Sequence, residues 1–206
     1  EEAIRIKEKH PDTELITISI GPLSCQETLR QALSMGADRA ILVETNRPLE
    51  PLNIAKILRH YCQQENPSLV ICGKQAIDDD CNQTGQMLAA LMDWPQGCFI
   101  SKLQLEDNGV IIEREVDDGL EILQLTLPCI LTTDLRLNEP RFAKLPDIVK
   151  AKNKPLEKTS IDELPVEIQT HHEHIHFEAP ASRPPGRQLE SVDELIDALK
   201  QHEVLT

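Results

Sequence analysis

Short aliphatic runs rich in β-branched residues alternate with amphipathic helical patterns through the first 92 residues of the chain. The predicted strands span 14–20, 39–44 and 68–72, and the predicted helices span 1–10, 24–36, 85–92 and the segment from Pro51 to before Pro67. Apolar strands separated by helices of this length are typical of a parallel sheet covered by helices on both faces. The sequence therefore predicts an α/β fold with an open, mainly parallel, doubly wound sheet.

Local sequence signals predict where the second helix, 24–36, begins and ends. Ser24 and Glu27 have the S-x-x-E spacing of a capping box, which predicts the start of the second helix. Gly36 follows the last apolar residue of that helix and predicts its end, because glycine readily adopts the left-handed conformation of a C-cap.

The pattern changes after Trp94 and Pro95. Alternating runs at 99–105, 110–116 and 120–127 are separated by Asp-Asn-Gly and Asp-Asp-Gly turns, which predict an antiparallel meander inserted after the parallel part. Pro128 then precedes the apolar run 129–133, which we expect to rejoin the main sheet.

The last quarter of the chain is rich in proline and histidine and poor in apolar runs. Only 191–199 is amphipathic, beginning with a second S-x-x-E pattern at Ser191 and Glu194. We therefore expect an α/β nucleotide-binding domain at 1–155 and an extended arm at 156–206 that carries one helix and packs on a partner subunit. Alternating His172, His174 and His176 would suit a metal ion on one side of a strand, but an exposed edge without an ion is the favoured interpretation.

Composition excludes several classes of function. A formal charge of −14 argues against binding of nucleic acid or anionic membranes, because phosphate backbones are bound by clustered lysine and arginine. The six cysteines form no C-x-x-C pair, so they are interpreted as reduced thiols that fill the core rather than as metal ligands. No run approaches the roughly 20 apolar residues of a membrane span.

The segment 73–84, GKQAIDDDCNQT, lies between a predicted strand and a predicted helix. Open α/β sheets bind ligands at this position, and the free N–H groups and dipole of a helix N-terminus favour an anion such as phosphate. Asn82, Gln83 and Thr84 are therefore candidate phosphate contacts. The alternative is that the aspartates and Asn82 only cap the helix, because Asp and Asn are favoured capping residues.

A basic segment stands out in this acidic chain. Its positive side chains surround the apolar pair Leu145 and Pro146, and they are Arg136, Arg141, Lys144, Lys150, Lys152, Lys154 and Lys158. An apolar residue framed by charge fits a small docking site with an anchor and a polar rim, whereas a solvated helix face is the default interpretation of a charged run.

No nucleophile with an adjacent base is visible in the sequence. Cys81 follows Asp80, but a neighbouring carboxylate raises the pKa of a thiol rather than activating it. We therefore expect no enzymatic site in this chain alone.

Five segments together resemble the beta subunit of electron transfer flavoprotein. The most specific is DLRLNEPRFAKLP at 134–146, and the others are 21–40, 73–87, 93–97 and 113–121. The resemblance covers essentially the whole chain. It implies a heterodimer that carries electrons from flavin dehydrogenases, such as acyl-CoA dehydrogenases of fatty acid beta-oxidation, to a membrane quinone oxidoreductase. The fold it implies is of the adenine nucleotide α-hydrolase type.

The resemblance also implies cofactors and site residues. The alpha subunit would hold most of one FAD, while this chain would bind a structural AMP through the backbone at Ile20 and the loop residues Gly73, Lys74, Gln75, Ala76, Ile77, Asp78, Asp79, Asp80, Cys81, Asn82, Gln83 and Thr84. Leu145 would be the anchor that enters a pocket of the dehydrogenase, with Arg141 and Pro146 in the surrounding surface. Glu115 would help to control the mobile FAD domain.

Two departures from the family pattern are visible. The family begins with a further strand and loop that do not precede Glu1, and its lysine-rich run is interrupted here by Asn153 and Pro155, which suggests a bacterial member. The expected location is the bacterial cytoplasm or, for a eukaryotic member, the mitochondrial matrix. The alternatives are a flavin-bifurcating relative with a second FAD in the AMP position, which the polar CNQTGQ stretch disfavours, and a stand-alone nucleotide sensor.

Overall fold

The computed structural model describes residues 1–77, 80–173 and 175–202. Its helices are α1 (Glu2–Lys9), α2 (Gln26–Met35), α3 (Pro51–Glu65), α4 (Thr84–Met92), α5 (Leu145–Ala151) and α6 (Val192–Gln201). Its strands are β1 (Ile16–Gly21), β2 (Arg39–Glu44), β3 (Leu69–Gly73), β4 (Gln96–Glu106), β5 (Gly109–Val116), β6 (Gly119–Thr126), β7 (Cys129–Thr133) and β8 (Leu156–Ser160). The predicted α/β class is confirmed.

Hydrogen bonding divides the strands into two sheets rather than the single sheet expected from the sequence. The first has the order β1-β2-β8 and is parallel throughout. The second has the order β3-β7-β4-β5-β6, in which β3, β7 and β4 run parallel and β4, β5 and β6 run antiparallel. Apolar patterning shows that a strand is buried on both faces but not which strand is its neighbour, so the sequence did not reveal this division.

Helices cover both faces of the first sheet. Ala40 and Leu42 of β2 pack with residues of α2 and α5, whereas Ile41 and Val43 pack with Ile57 and Tyr61 of α3. Successive residues of a strand point to opposite faces, so one buried strand contributes to two core clusters. The prediction of helices on both faces is confirmed for this sheet.

The two predicted ends of α2 have different outcomes. Gly36 ends the helix with a φ of +142°, as predicted. The predicted capping box is wrong, because a 3₁₀ turn at Leu23–Cys25 precedes α2 and no side chain caps the helix. Ser24 is already inside that turn, so its backbone cannot adopt the extended conformation usual for an N-cap residue.

The first compact unit extends to His171, beyond the boundary at 155 expected from the sequence. Strand β8 pairs in parallel with β2, and Leu164, Val166 and Ile168 pack against the cluster of Ile41, Ile57 and Tyr61. The strand sequence LEKTS lacks an apolar run, so its pattern gave no strand signal.

The second compact unit begins at His172. Within it, Ser191 accepts a hydrogen bond from the backbone N–H of Glu194 at 3.1 Å and caps α6, as predicted. Val192, Leu195 and Ile196 of α6 are exposed. His172 and His176 lie outside any helix or strand, and His174 lies outside the described residues.

Hydrogen bonds from the side chain of Asn53 join α3 to the end of the first compact unit. Replacing Asn53 by alanine is expected to lower the free energy of unfolding by about 1–2 kcal/mol. Its side chain is buried, donates to the carbonyl oxygen of Gln169 at 2.7 Å and accepts from the Gln169 N–H at 3.2 Å. Denaturant unfolding measures the loss, and amide exchange at Gln169 should become faster. Gln63→Ala, at an exposed position of the same helix, is the control and should change neither quantity.

Candidate functional site

The candidate nucleotide loop, residues 73–84, joins the carboxyl end of β3 to the N-terminus of α4. Its placement between a parallel strand and a helix agrees with the sequence prediction. Asp78 and Asp79 lie outside the described residues. Gln75, Ala76, Ile77, Asp80, Cys81 and Gln83 are exposed, and Ile77 is completely so.

The backbone of the loop has an unusual conformation beside α4. Asp80 and Asn82 have φ values of +52° and +54°, which Asp and Asn tolerate better than most residues. Gln83 is the N-cap of α4, and no described side chain accepts a hydrogen bond from the first turn. The alternative capping role therefore has no support from the described members of this polar cluster, and among the described residues the first N–H groups of α4 have no side-chain acceptor.

Gln86, in the first turn of α4, has a buried oxygen without a partner. Its Nε2 donates to Oδ1 of Asn82 at 3.2 Å, while its Oε1 is inaccessible to solvent and accepts no hydrogen bond among the described residues. A buried acceptor without a donor is costly, so this position favours a ligand that carries N–H or O–H groups. Sequence reasoning missed Gln86, because a glutamine in a helix carries no signal of its burial.

Lys74 connects the loop to the end of β7. Its backbone N–H donates to the carbonyl oxygen of Thr133 at 3.1 Å, and its Nζ lies 2.6 Å from Oδ2 of Asp134. Asp134 is buried, and the hydrogen bonds from Arg136 and Lys74 hold its pKa well below the usual range. Arg136 in turn forms an ion pair with Glu115 on β5. The structure thus brings Lys74 and Glu115 into one network of ion pairs.

Among the described residues, no hydrogen bond links Ile20 to this network of ion pairs. It is the penultimate residue of β1 in the first sheet and, with Gly21, Thr45 and Arg47, lines a cavity of about 450 Å³. Gly73 ends β3 in the second sheet, and no hydrogen bond or ion pair found between described residues joins Ile20 to the loop. Both residues nevertheless lie at carboxyl ends of parallel strands, where α/β sheets bind ligands.

The basic segment presents a cluster of exposed apolar side chains. Leu145 is the first residue of α5 and is 73% exposed, and Pro146 is exposed beside it. Phe142, 95% exposed, precedes the helix, and Ile148 and Val149 follow Leu145 at the i+3 and i+4 positions of the same face. Sequence reasoning identified Leu145 but missed Phe142, although it is one of only three phenylalanines.

Arg141, predicted to lie in the rim of the docking site, forms ion pairs within the chain. Its guanidinium binds the carboxylates of Glu1 and Glu8 on the segment that forms α1. The hydrogen bonds to Glu8 and Glu1 raise the pKa of Arg141 further above its usual range. Arg141 therefore ties the basic segment to α1, in addition to any contact with a partner.

The cysteines form no disulfide and no metal site in the described part of the chain. No disulfide joins any of the six, all of which are described, and burial raises the pKa of the Cys72 thiol, near the end of β3, to about 11. Where residues are described, no group of three His, Cys, Asp or Glu side chains is arranged to hold a metal ion. Among the described helices, none is long and apolar enough to cross a membrane.

Comparison with known proteins identifies the family. The electron transfer flavoprotein domain family matches residues 1–164. The electron transfer flavoprotein subunit beta of Arabidopsis thaliana, a mitochondrial protein, is 54% identical over 202 residues, which are 97% of this chain and 80% of the relative. The chain belongs to the electron transfer flavoprotein family as a beta subunit. The subunit beta of Bradyrhizobium diazoefficiens is 50% identical over 200 residues, 97% of this chain and 80% of the relative.

Membership in the electron transfer flavoprotein family fixes the broad role. Mammalian and plant relatives, such as the subunit beta of Mus musculus at 49% identity over 98% of this chain and 80% of the relative, carry the same name as the bacterial one. Proteins of this kind are electron carriers rather than enzymes, and a beta subunit implies an alpha subunit as its partner. The resemblance drawn from the sequence is thereby confirmed.

Proposed function

We propose that this chain holds AMP at the loop 73–84 and at Ile20, and docks flavin dehydrogenases through Leu145, Arg141 and Pro146. Acyl-CoA dehydrogenases are the expected donors, and a quinone oxidoreductase is the expected acceptor. FAD, held mainly by the alpha subunit, would supply the redox chemistry when bound. The chain would adopt an adenine nucleotide α-hydrolase-like fold and act in the mitochondrial matrix or the bacterial cytoplasm.

The unpartnered oxygen of Gln86 carries the AMP proposal. It lies in the first turn of α4 beside Asn82, where a nucleotide can offer ribose hydroxyls or the adenine amino group as donors. The N–H groups of the same turn, which no described side chain caps, and the positive end of the helix dipole suit the phosphate. Polar groups for both ends of AMP are therefore present at the junction of the loop and the first turn of α4, and none of them requires a metal ion.

The exposed apolar side chains of the basic segment support the docking proposal. Leu145 and Phe142 protrude on a surface flanked by Lys144, Lys150 and Lys152. An exposed apolar patch with a polar rim is the usual form of a docking site with a central anchor. The lysines would attract an acidic partner surface and speed its encounter with the anchor.

Glu115 and the C-terminal segment are proposed to engage the alpha subunit. Glu115 is about half exposed and held by Arg136, so its carboxylate is presented on the surface of β5 for contact with the FAD domain. Val192, Leu195 and Ile196 of α6 are exposed and lie on one face, as expected of a helix that packs on a partner. The arm from 172 onward would therefore lie on the partner subunit.

Nucleotide analysis of the complete heterodimer tests the AMP proposal. The complex is purified with its natural alpha subunit and denatured, and the released nucleotides are quantified by chromatography and mass spectrometry. FAD and AMP in equal amounts are expected. Two FAD per heterodimer would indicate the flavin-bifurcating alternative, and no nucleotide other than FAD would return the loop to a capping role.

Gln86→Leu provides a variant for the same measurement. It should retain FAD but release less AMP, because it removes both the polar side chain beneath the loop and its bond to Asn82. Gln104→Leu, an equivalent change on the exposed surface of β4, should release both nucleotides in wild-type amounts. Equal AMP content in the two variants would remove Gln86 from the site.

A further inference from the structure

Asp134 is a buried carboxylate between two candidate functional regions. It follows β7 directly, and its side chain is only 3% exposed. A buried carboxylate remains ionised only where cations and N–H donors compensate it. Asp134 satisfies this requirement with partners from two directions.

The two oxygens of Asp134 bind different cations. Oδ2 accepts from Nζ of Lys74 at 2.6 Å, at the start of the candidate nucleotide loop. Oδ1 accepts from Nε of Arg136 at 2.9 Å and from its backbone N–H at 3.0 Å. Arg136 also binds Glu115, so a single carboxylate joins the loop to the surface of β5.

We propose that Asp134 is a positioning residue that couples the loop 73–84 to Glu115, because Lys74 and Arg136 share its carboxylate. The inference rests on the proposed function for the role of the loop and of Glu115. Asp134 would act through Lys74 and Arg136 rather than through a ligand contact of its own.

The coupling arises because Lys74 and Arg136 compete for the negative charge of the Asp134 carboxylate. An anionic nucleotide on the loop attracts the ammonium of Lys74 and weakens its bond to Asp134. The buried carboxylate then binds Arg136 more strongly, and Arg136 holds Glu115 less firmly. Coupling between two sites is reciprocal, so changes at Glu115 must alter nucleotide affinity.

The test measures the AMP dissociation constant of the heterodimer after its AMP has been removed. Glu115→Gln frees Arg136 to bind Asp134, which releases Lys74 for the nucleotide, and should strengthen AMP binding about threefold. Arg136→Gln keeps the backbone N–H bond to Asp134 but leaves Lys74 as its one remaining cationic partner among the described residues, and should weaken AMP binding about threefold. Both effects should vanish when Asp134→Asn is also present.

Matched controls separate coupling from a general change in charge. Glu113, on the same strand as Glu115, forms an ion pair with Lys102 that does not include Asp134. Glu113→Gln and Lys102→Gln therefore make the same charge changes outside the network and should leave the AMP dissociation constant unchanged. If the two control variants changed the AMP dissociation constant as much as Glu115→Gln and Arg136→Gln do, the proposal would be overturned.

A second measurement does not need AMP. The amide of Lys74 donates to Thr133, so its hydrogen exchange reports on the start of the loop in the nucleotide-free heterodimer. Exchange should become slower in Arg136→Gln and faster in Glu115→Gln. If it does so while AMP fails to bind, the coupling stands and the proposed function fails. Identical exchange in these variants and their controls would overturn the coupling.

Discussion

Replacing Leu145 by alanine is expected to slow electron transfer from the dehydrogenase about 30-fold and to leave the bound nucleotides unchanged. One buried anchor often contributes ~2 kcal/mol or more to an interface, and that energy corresponds to about a 30-fold change in rate or affinity. Leu145 is 73% exposed in this chain, so its truncation removes little packing within the fold. Stopped-flow reduction of the heterodimer by a reduced acyl-CoA dehydrogenase, at subsaturating concentration, measures the effect.

Leu23→Ala is the control for Leu145→Ala. Leu23 is also an exposed leucine, 45% accessible, but it lies in the 3₁₀ turn before α2 rather than in the basic segment. Its truncation should leave the rate of electron transfer unchanged. Wild-type rates for Leu145→Ala, or an equal loss for Leu23→Ala, would remove Leu145 from the docking proposal.

The second large effect is expected at Gly85, where alanine should destabilise the protein by about 1–3 kcal/mol and lower its nucleotide content. A Cβ at Gly85 would lie 2.4 Å from Cγ2 of Thr132. Thr132 is buried, and its Oγ1 accepts the N–H of Phe99 at 3.0 Å, so it cannot turn away without losing that bond. The first turn of α4 must therefore move away from β7, and the loop moves with it. Thermal unfolding and nucleotide release of the heterodimer measure both losses.

A second substitution provides a rescue for Gly85→Ala. Thr132→Ser removes Cγ2 while keeping the hydroxyl, so it should restore most of the stability in the double variant. Gly73, at the other end of the loop, is the matched control, because a Cβ there would meet nothing within 4 Å and its φ is not left-handed. Gly73→Ala should leave stability nearly unchanged. Failure of Thr132→Ser to restore stability would show that the contact with Cγ2 is not the cause.

Elements with strong local signals were predicted well from the sequence. The segment Arg39–Glu44 is a strand with the predicted bounds, because its run of aliphatic residues is buried on both faces. The turns at Asp107-Asn108-Gly109 and Asp117-Asp118-Gly119 lie between β4 and β5 and between β5 and β6. The candidate loop was located because a glycine and a polar run separate an apolar strand from an apolar helix.

The features that sequence reasoning missed depend on contacts between distant residues. Asp134 and Gln86 look ordinary in the sequence, and only burial shows that one needs two cations and the other lacks a donor. Strand β8 went unnoticed because pairing with β2, rather than an apolar run, holds it in place. The capping box failed because Ser24 and Glu27 have the right spacing, but a 3₁₀ turn occupies the position where the helix would begin.

The short helix α5 is fixed at its buried end, and this bears on the kinetics of docking. Arg30 of α2 donates to the carbonyl oxygens of Ala151 and Lys154, and Lys154 donates back to Leu33 and Ala37 at the end of α2. Leu145 therefore lies on a helix that is already ordered in the chain itself, so the proposed docking of a dehydrogenase needs no folding of this helix. Little conformational entropy remains to be lost on contact, so the encounter should be limited by diffusion and ionic strength rather than by folding of the recognition segment.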